Sequence, residues 1–190
     1  MNIKARDCRS AWRHMTEICA EQPVRNFTQL LDMSDYLVET ELFPEPVLAA
    51  YSAHNTGLAV SEEQARHMNA LRGGAQGDYR EGMRRKIDNV VDCLTKFPAS
   101  KRAVIAICNQ PMADHGSDED AKCVRELHLY LDDDGKLGGT VLLRAQAASL
   151  FPKNIHMIGS IMSEVAGRLP QKPALGTLFY VATILVSDRS

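Results

Sequence analysis

VRELHLYLDDDGKLGGTVLLR, running from Val124 to Arg144, is the stretch whose pattern decides the fold class. Leu127, Leu129 and Leu131 alternate with Glu126, His128 and Tyr130. Successive side chains of a strand point to opposite faces, so this spacing predicts a strand from Val124 to Leu131 with one apolar and one polar face. Asp133-Asp134-Gly135-Lys136 follows; Asp-Gly is a strong hairpin signal because glycine supplies the positive φ a tight turn needs. Leu137 to Arg144 then returns as the partner strand. The polar face of Glu126, His128 and Tyr130 reads as a subunit interface with polar partners ahead of a catalytic surface.

Outward from this hairpin, Ala103 to Cys108 (AVIAIC) is a continuous apolar run of strand length. Asn154 to Leu169 carries Ile155, Ile158, Ile161, Met162 and Val165 at helical spacing, and Leu178 to Val186 reads as a last apolar strand. Arg80 to Lys96 places Met83, Ile87, Val90, Val91 and Leu94 on one helical face. Further toward the N-terminus the periodicity predicts helices over Ser10 to Glu21 and Thr28 to Leu42, with Pro44 and Pro46 as punctuation. Ser61-Glu62-Glu63-Gln64 reads as a capped start of a helix ending near Leu71, before a Gly73–Gly77 loop. Met112 to Lys122 reads as a polar loop. Its Asp114-His115-Gly116-Ser117-Asp118-Glu119-Asp120 run fits a solvated acidic loop better than a metal site. The fold class expected is α+β, a mixed sheet covered by helices.

Composition narrows the function. The 190 residues carry a net charge of −2, with 45% hydrophobic and 24% charged residues. No single-sign field favours nucleic acid or a membrane surface. Five cysteines, an odd number with no Cys-x-x-Cys pair, argue against a disulfide framework and against structural zinc. The opening MNIKARDCRSAWRHM lacks an apolar core of signal-peptide length, and no run approaches the ~18 apolar residues of a membrane span. A reducing cytoplasm is the expected setting.

Several pieces then fall in a telling order. Tyr79 precedes a helix containing Arg84-Arg85-Lys86-Ile87-Asp88-Asn89-Val90-Val91. Phe97-Pro98-Ala99-Ser100-Lys101-Arg102 leads into an apolar strand ending at Cys108-Asn109. Ala121-Lys122-Cys123 precedes Leu127-His128-Leu129-Tyr130-Leu131 and Asp134-Gly135-Lys136-Leu137. Leu143-Arg144-Ala145-Gln146-Ala147 and Phe151-Pro152-Lys153-Asn154-Ile155 complete the series. In this order and at these spacings they resemble the thymidylate synthase and pyrimidine hydroxymethylase superfamily. That family has Asp-Pro-x-Ser-Arg-Arg, Trp-Asn, Pro-Pro-Cys-His, Phe-Gln-Phe-Tyr-Val, Asp-Gly-Lys-Leu, Gln-Arg-Ser-x-Asp and x-Pro-Phe-Asn-Ile at the corresponding places. The likeness is clear from 79 to 169; residues 1–78, expected to be mostly helical, and 170–190, the final strand, match poorly. One domain over 1–190 is expected.

The resemblance implies a homodimer formed sheet to sheet and one-carbon transfer to a pyrimidine nucleotide or related heterocycle. Methyl and hydroxymethyl transfer are both open. The implied donor is 5,10-methylenetetrahydrofolate, with no metal. It makes Cys123 the nucleophile, a thiolate adding to C6 of the pyrimidine so that C5 becomes nucleophilic. Lys122, Arg125 and Arg144 are the cations expected to favour that thiolate; an inert cysteine beside a loop is the alternative. Arg144, with Lys101 and Arg102 from the other subunit, would hold phosphate; the alternative for the latter pair is a solvated turn. Asn154 matches the asparagine that reads the base edge, or serves as an ordinary N-cap. Tyr79 matches an active-site tyrosine. Cys8, Cys19, Cys93 and Cys108 read as small core residues. A catalytic glutamate is placed at Glu17. The departures are equally specific: Ala145 and Ala147 replace a serine and an aspartate, Val124 replaces a histidine, and Leu178 to Val186 is apolar where the family binds a sugar hydroxyl. A non-catalytic dimer acting as a binding or structural protein is therefore the alternative function.

Overall fold

A computed structural model describes residues 4–68, 78–109 and 122–188. The Gly73–Gly77 loop, most of the Met112–Lys122 loop and His115 lie outside them. In chain order the elements are β1 (Arg6–Asp7), α1 (Cys8–Ile18), β2 (Val24–Asp32), α2 (Glu45–Asn55), α3 (Glu62–Ala65), α4 (Met83–Lys96), β3 (Val104–Ala106), β4 (Val124–Leu131), β5 (Leu137–Leu143), β6 (Gln146–Ala147), α5 (Phe151–Arg168) and β7 (Leu175–Val186). The strands form one seven-stranded sheet in the order β1-β2-β7-β5-β4-β3, with β6 added alongside β7. Parallel β5·β7 and antiparallel β4·β5 and β2·β7 pairings make it mixed. The α+β class is as expected.

The β4–β5 hairpin forms where the alternation placed it. Leu127 and Leu129 are buried while Glu126, His128 and Tyr130 face out. Gly135 turns the chain at φ 73°, and the Asp132 carboxylate accepts the N–H groups of Asp134 and Lys136. α5 crosses from β6 back to β7, parallel to it, and is buried almost all round, as a central helix must be. α4 packs on α5 with Met83, Ile87, Val90 and Leu94 buried. Across their polar rims Arg84 grips Glu164 with its two terminal guanidinium nitrogens, at 2.6 and 2.7 Å, and Arg168 bridges Glu164 and Asp88. The Tyr36 ring lies directly over Gly159, in the space that the Cβ of any other residue would need.

Two N-terminal expectations are corrected. Thr28 to Leu42 is not a helix: Val24–Asp32 is β2, paired with β7 from Val24↔Leu185 to Asp32↔Thr177, and the chain beyond it is irregular. Leu30, Leu31 and Met33 imitate a helical stripe, but the ladder offered by β7 satisfies more backbone than an isolated helix turn would. Pro44 and Pro46 do not merely punctuate. They open α2, where a proline's missing N–H costs nothing. The capping box at Ser61 and Gln64 is present, on a helix that ends at Ala65.

α2 is tied to α5 by Ser52 Oγ and His156 Nδ1, 2.7 Å apart, beside a cavity of about 420 Å³ whose lining includes Ala53, Leu58 and Glu164. Burial pushes the His156 imidazole down to about 4 from 6.5. The folded state thus resists protonating a group that the unfolded chain protonates near 6.5. Its contribution to stability is complete above pH 6.5 and is lost as pH falls toward 4. Urea midpoints measured from pH 7 to 4 should fall more steeply for the wild type than for His156→Gln, which cannot titrate.

Candidate active site

Hydrogen bonding across the hairpin sets Cys123 opposite Arg144. The ladder pairs Val124 with Leu143, and one step beyond it the Arg144 N–H donates to the Cys123 carbonyl at 2.9 Å. The register then slips between Val124 and Glu126, leaving Arg125 as an extra residue in β4. A bulge of this kind re-aims the side chains before it relative to those after it. Val124 and Leu127 are consequently both buried, and Cys123 is half-buried at the mouth of the sheet. Strict alternation from Leu127 backward would have turned Cys123 and Arg125, not Val124, into the core.

Tyr79 fixes this end of β4. Its hydroxyl oxygen accepts the N–H of Cys123 at 3.1 Å and that of Val124 at 3.3 Å. Its own N–H donates to Asn55 Oδ1 at 2.6 Å, and the Asn55 amide nitrogen donates to the Tyr51 carbonyl, so α2 holds Tyr79 and Tyr79 holds Cys123. Burial, then the nearby Cys123 charge, raises the Tyr79 phenol above its ordinary value. Tyr51 and Tyr180 are raised for the same first reason, and both also lie within the field of Cys123 and Tyr79. Three buried tyrosines thus feel the charge of this thiol, and Tyr79 also bonds its backbone.

Buried polar residues concentrate here. Among the described residues they are Ser52, Asn55, Thr56, Gln146, Lys153 and Asn154, all from the end of α2 or from the β6–α5 corner. Lysine is rarely buried, yet Lys153 is 4% exposed with Nζ 4.9 Å above the centre of the Tyr51 ring. Asn154 is not the N-cap of its helix. α5 begins at Phe151, with Pro152 in its first turn, and the Asn154 amide nitrogen donates to Gln146 Oε1 at 2.9 Å. The same oxygen accepts the Tyr180 hydroxyl at 2.5 Å. Tyr180 thus brings a polar tip into a strand that reads as apolar.

Of the residues expected in the site, Cys123, Arg144, Tyr79 and Asn154 are brought to one end of the sheet. Arg144 is exposed there. Lys101 and Arg102 are exposed and stand elsewhere. Leu129 N–H donates to the Ala103 carbonyl, which sets this turn beside the far end of β4, about 20 Å from Cys123 at ~3.3 Å per residue. Arg125 reaches Cys108, donating to its sulfur at 3.2 Å, so Cys108 is a half-buried acceptor and not a core residue. Cys93 is likewise half-buried, with its sulfur 3.2 Å from Ser100 Oγ. Cys8 and Cys19 are core residues, the Cys8 thiol being raised to about 12 chiefly by burial. Glu17 is exposed on α1. Among the described residues no three potential ligands cluster for a metal, and no helix is long and apolar enough to cross a membrane. Sequence reading missed Tyr51, Asn55, Gln146, Lys153 and Tyr180 as parts of the site. The available signal was a lone polar group in an apolar setting, as with Gln146 between two alanines.

A mixed sheet, a central helix entering through Pro152 and Asn154, and a cysteine facing an arginine at the hairpin's open end together define a thymidylate synthase-like fold. The solved structure of thermostable thymidylate synthase A from Bacillus subtilis superposes with a TM-score of 0.63 over 95% of this chain and 79% of that one, at 12% sequence identity. No family model and no curated protein matches the sequence. At that identity the likeness establishes the fold.

Tyr79→Phe removes the shared acceptor and leaves two N–H groups without it. The expected cost is about 1–3 kcal/mol in chemical denaturation. Exchange of the Cys123 and Val124 amides should quicken selectively, and unchanged exchange there would show that Tyr79 does not hold this end of β4.

Proposed function

We propose that this chain transfers a one-carbon unit, methyl or hydroxymethyl, to a pyrimidine nucleotide or a related heterocycle, with Cys123 as the nucleophile. The observation that carries the proposal is the register of β4 against β5, which sets the backbone of a residue with a half-buried thiol against that of an exposed arginine. In the proposed reaction the Cys123 thiolate adds to C6 of the heterocycle and C5 gains the electron density to attack the one-carbon unit. The bond from that unit to its donor breaks with its electron pair going to the donor, the C5 proton is lost, and expulsion of the thiolate restores the ring. For a unit at the formaldehyde level, water taken up at that carbon would give hydroxymethyl, and a hydride from the reduced donor would give methyl. Arg144 would hold the phosphate. Asn154 would read the base edge, and Tyr79 would hold the backbone from which the thiol projects.

The resemblance implies 5,10-methylenetetrahydrofolate as the donor. Ala147 offers only a methyl group where that resemblance expects the carboxylate of the folate network, so the residues present do not reproduce its usual seat. The donor is therefore an arm of the test. Intact mass spectrometry should detect a covalent adduct of Cys123 with a 5-fluoropyrimidine nucleotide, assayed with and without methylenetetrahydrofolate. Cys123→Ser should abolish it while melting at the wild-type temperature. No adduct across a nucleotide panel, with a Cys123 inert to alkylation, would favour the second reading. That reading is a binding or structural protein that keeps the fold without the reaction, and Ala145 and Ala147 are what favour it.

A homodimer formed through the sheet belongs to the same proposal. The face opposite the helices is exposed or half-buried across four strands and includes Tyr130, Leu142, Phe179, Val181 and Leu30. A partner seated on it would be the source of Lys101 and Arg102. Light scattering at micromolar concentration should give twice the 21.0 kDa chain mass. A monomer would remove both residues from the site.

A further inference from the structure

The cavity of about 420 Å³ between α2 and α5 falls within the range of about 300–1,000 Å³ that small-molecule sites occupy. We propose that it is a binding site for an uncharged small molecule with an apolar body, a carbonyl-type acceptor at one end and an N–H at the other. None of the residues proposed above to act on a nucleotide lines it, so the inference stands apart from the one-carbon reading.

The two helices contribute unlike walls. From α2 come Ala49 and Ala53, one turn apart, and Leu58 follows beyond the end of the helix. From α5 come His156, Ser160 and Glu164, at i, i+4 and i+8, so their side chains follow one another along a single face. α2 thus supplies an apolar wall and α5 a polar rail. A molecule lying between them meets methyl groups on one side and hydrogen-bonding atoms along the other.

The order of donors and acceptors on that rail follows atom by atom. His156 is neutral at pH 7, since burial pushes it down to about 4, and a neutral imidazole carries its hydrogen on one ring nitrogen. Ser52 is 2% exposed, and among the described residues its hydroxyl has His156 Nδ1, at 2.7 Å, as its partner. A buried hydroxyl hydrogen needs an acceptor, so Ser52 donates to Nδ1 and the imidazole hydrogen sits on Nε2. The Tyr36 ring packs against the imidazole at 66°, with centroids 5.4 Å apart, and holds it there. Among the described residues Nε2 has no partner, yet the buried donor without one is Trp12 Nε1. Nε2 is therefore reachable, and the cavity is what its ring borders. One turn on, the Ser160 hydroxyl commits its hydrogen to the His156 carbonyl at 2.8 Å and keeps its lone pairs as acceptors. A carbonyl facing His156 and an N–H facing Ser160 complement this order. Charge has no place in the ligand: Glu164 is already matched by Arg84 and Arg168, and Arg168 also by Asp88. An ion taken into this cavity would lose water and find no countercharge left for it.

Nuclear magnetic resonance on the intact, nitrogen-15-labelled protein tests this, with benzamide as the probe and benzoate and benzylammonium as its charged counterparts. At neutral pH the His156 ring hydrogen should be found on Nε2; a hydrogen on Nδ1 overturns the order of groups and the proposal with it. Titration with benzamide should shift the His156 and Ala53 resonances saturably. Both charged probes should bind at least about tenfold more weakly. Ala53→Leu fills the cavity from a position where the helix accepts leucine readily, and it should abolish the benzamide shifts at His156. Undiminished binding to that variant would put the probe elsewhere on the surface and overturn the proposal. So would the absence of any saturable shift in the wild type, or equal binding of the three probes. An Ala53→Leu variant that does not fold still leaves the position of the hydrogen and the comparison of probes to decide.

Discussion

Between Asp132 and Lys136 the chain reverses direction, and the hydrogen bonds that its turn imposes run on to the other end of the hairpin. Because side chains repeat every two residues, slipping this pairing by one would turn every leucine of β4 to the wrong face. Leu127 and Leu129 forbid the slip by being buried. The same register that protects the core therefore also determines that Cys123 lies against Arg144. Only the bulge at Arg125 interrupts it, and it does so within two residues of the thiol. Tyr79 then holds the bulged end, standing in for the ladder bonds lost there.

How much of this was legible varies with the kind of signal. β4, its turn and β5 could be read from alternation and Asp-Gly because their causes are local. α4 and most of α5 could be read from helical stripes. β2 could not, since Phe27 and Leu31 are its deeply buried side chains and the intervening Gln29 and Leu30 are only half-buried. Its strand character comes from β7, near the opposite end of the chain, whose backbone completes a ladder that no local sequence signal announces. Within the candidate site, Cys123, Arg144, Tyr79 and Asn154 were readable from motif order. Their surroundings were not, because Lys153 and Gln146 look like surface residues until the start of α5 buries them.

Buried polarity is distributed unevenly over the molecule. Core elsewhere is aliphatic and aromatic, with Trp12 Nε1 the buried side-chain donor left without a partner among the described residues. At the end of α2 and the start of α5 polar groups are instead buried and satisfied in chains: Asn55 through Tyr79 to Cys123, and Asn154 through Gln146 to Tyr180. Such chains contribute little net stability but allow few alternative arrangements, since each lost partner leaves a buried group uncompensated. They hold the side chains at this end of the sheet to few arrangements.

The sheet's two ends have a consequence for how copies of the chain can meet. β1 spans two residues and covers β2 only at Leu31 and Asp32, so among the described residues no strand pairs with the outer edge of β2 from Val24 to Leu30. An open edge invites pairing with another strand, and the exposed Arg25, Asn26 and Thr28 keep this one polar. The broad face carrying Tyr130, Leu142 and Phe179 remains open. Two surfaces are thus open to self-recognition: an edge, where backbone pairing is indifferent to sequence, and a face, where side-chain complementarity is something sequence can tune.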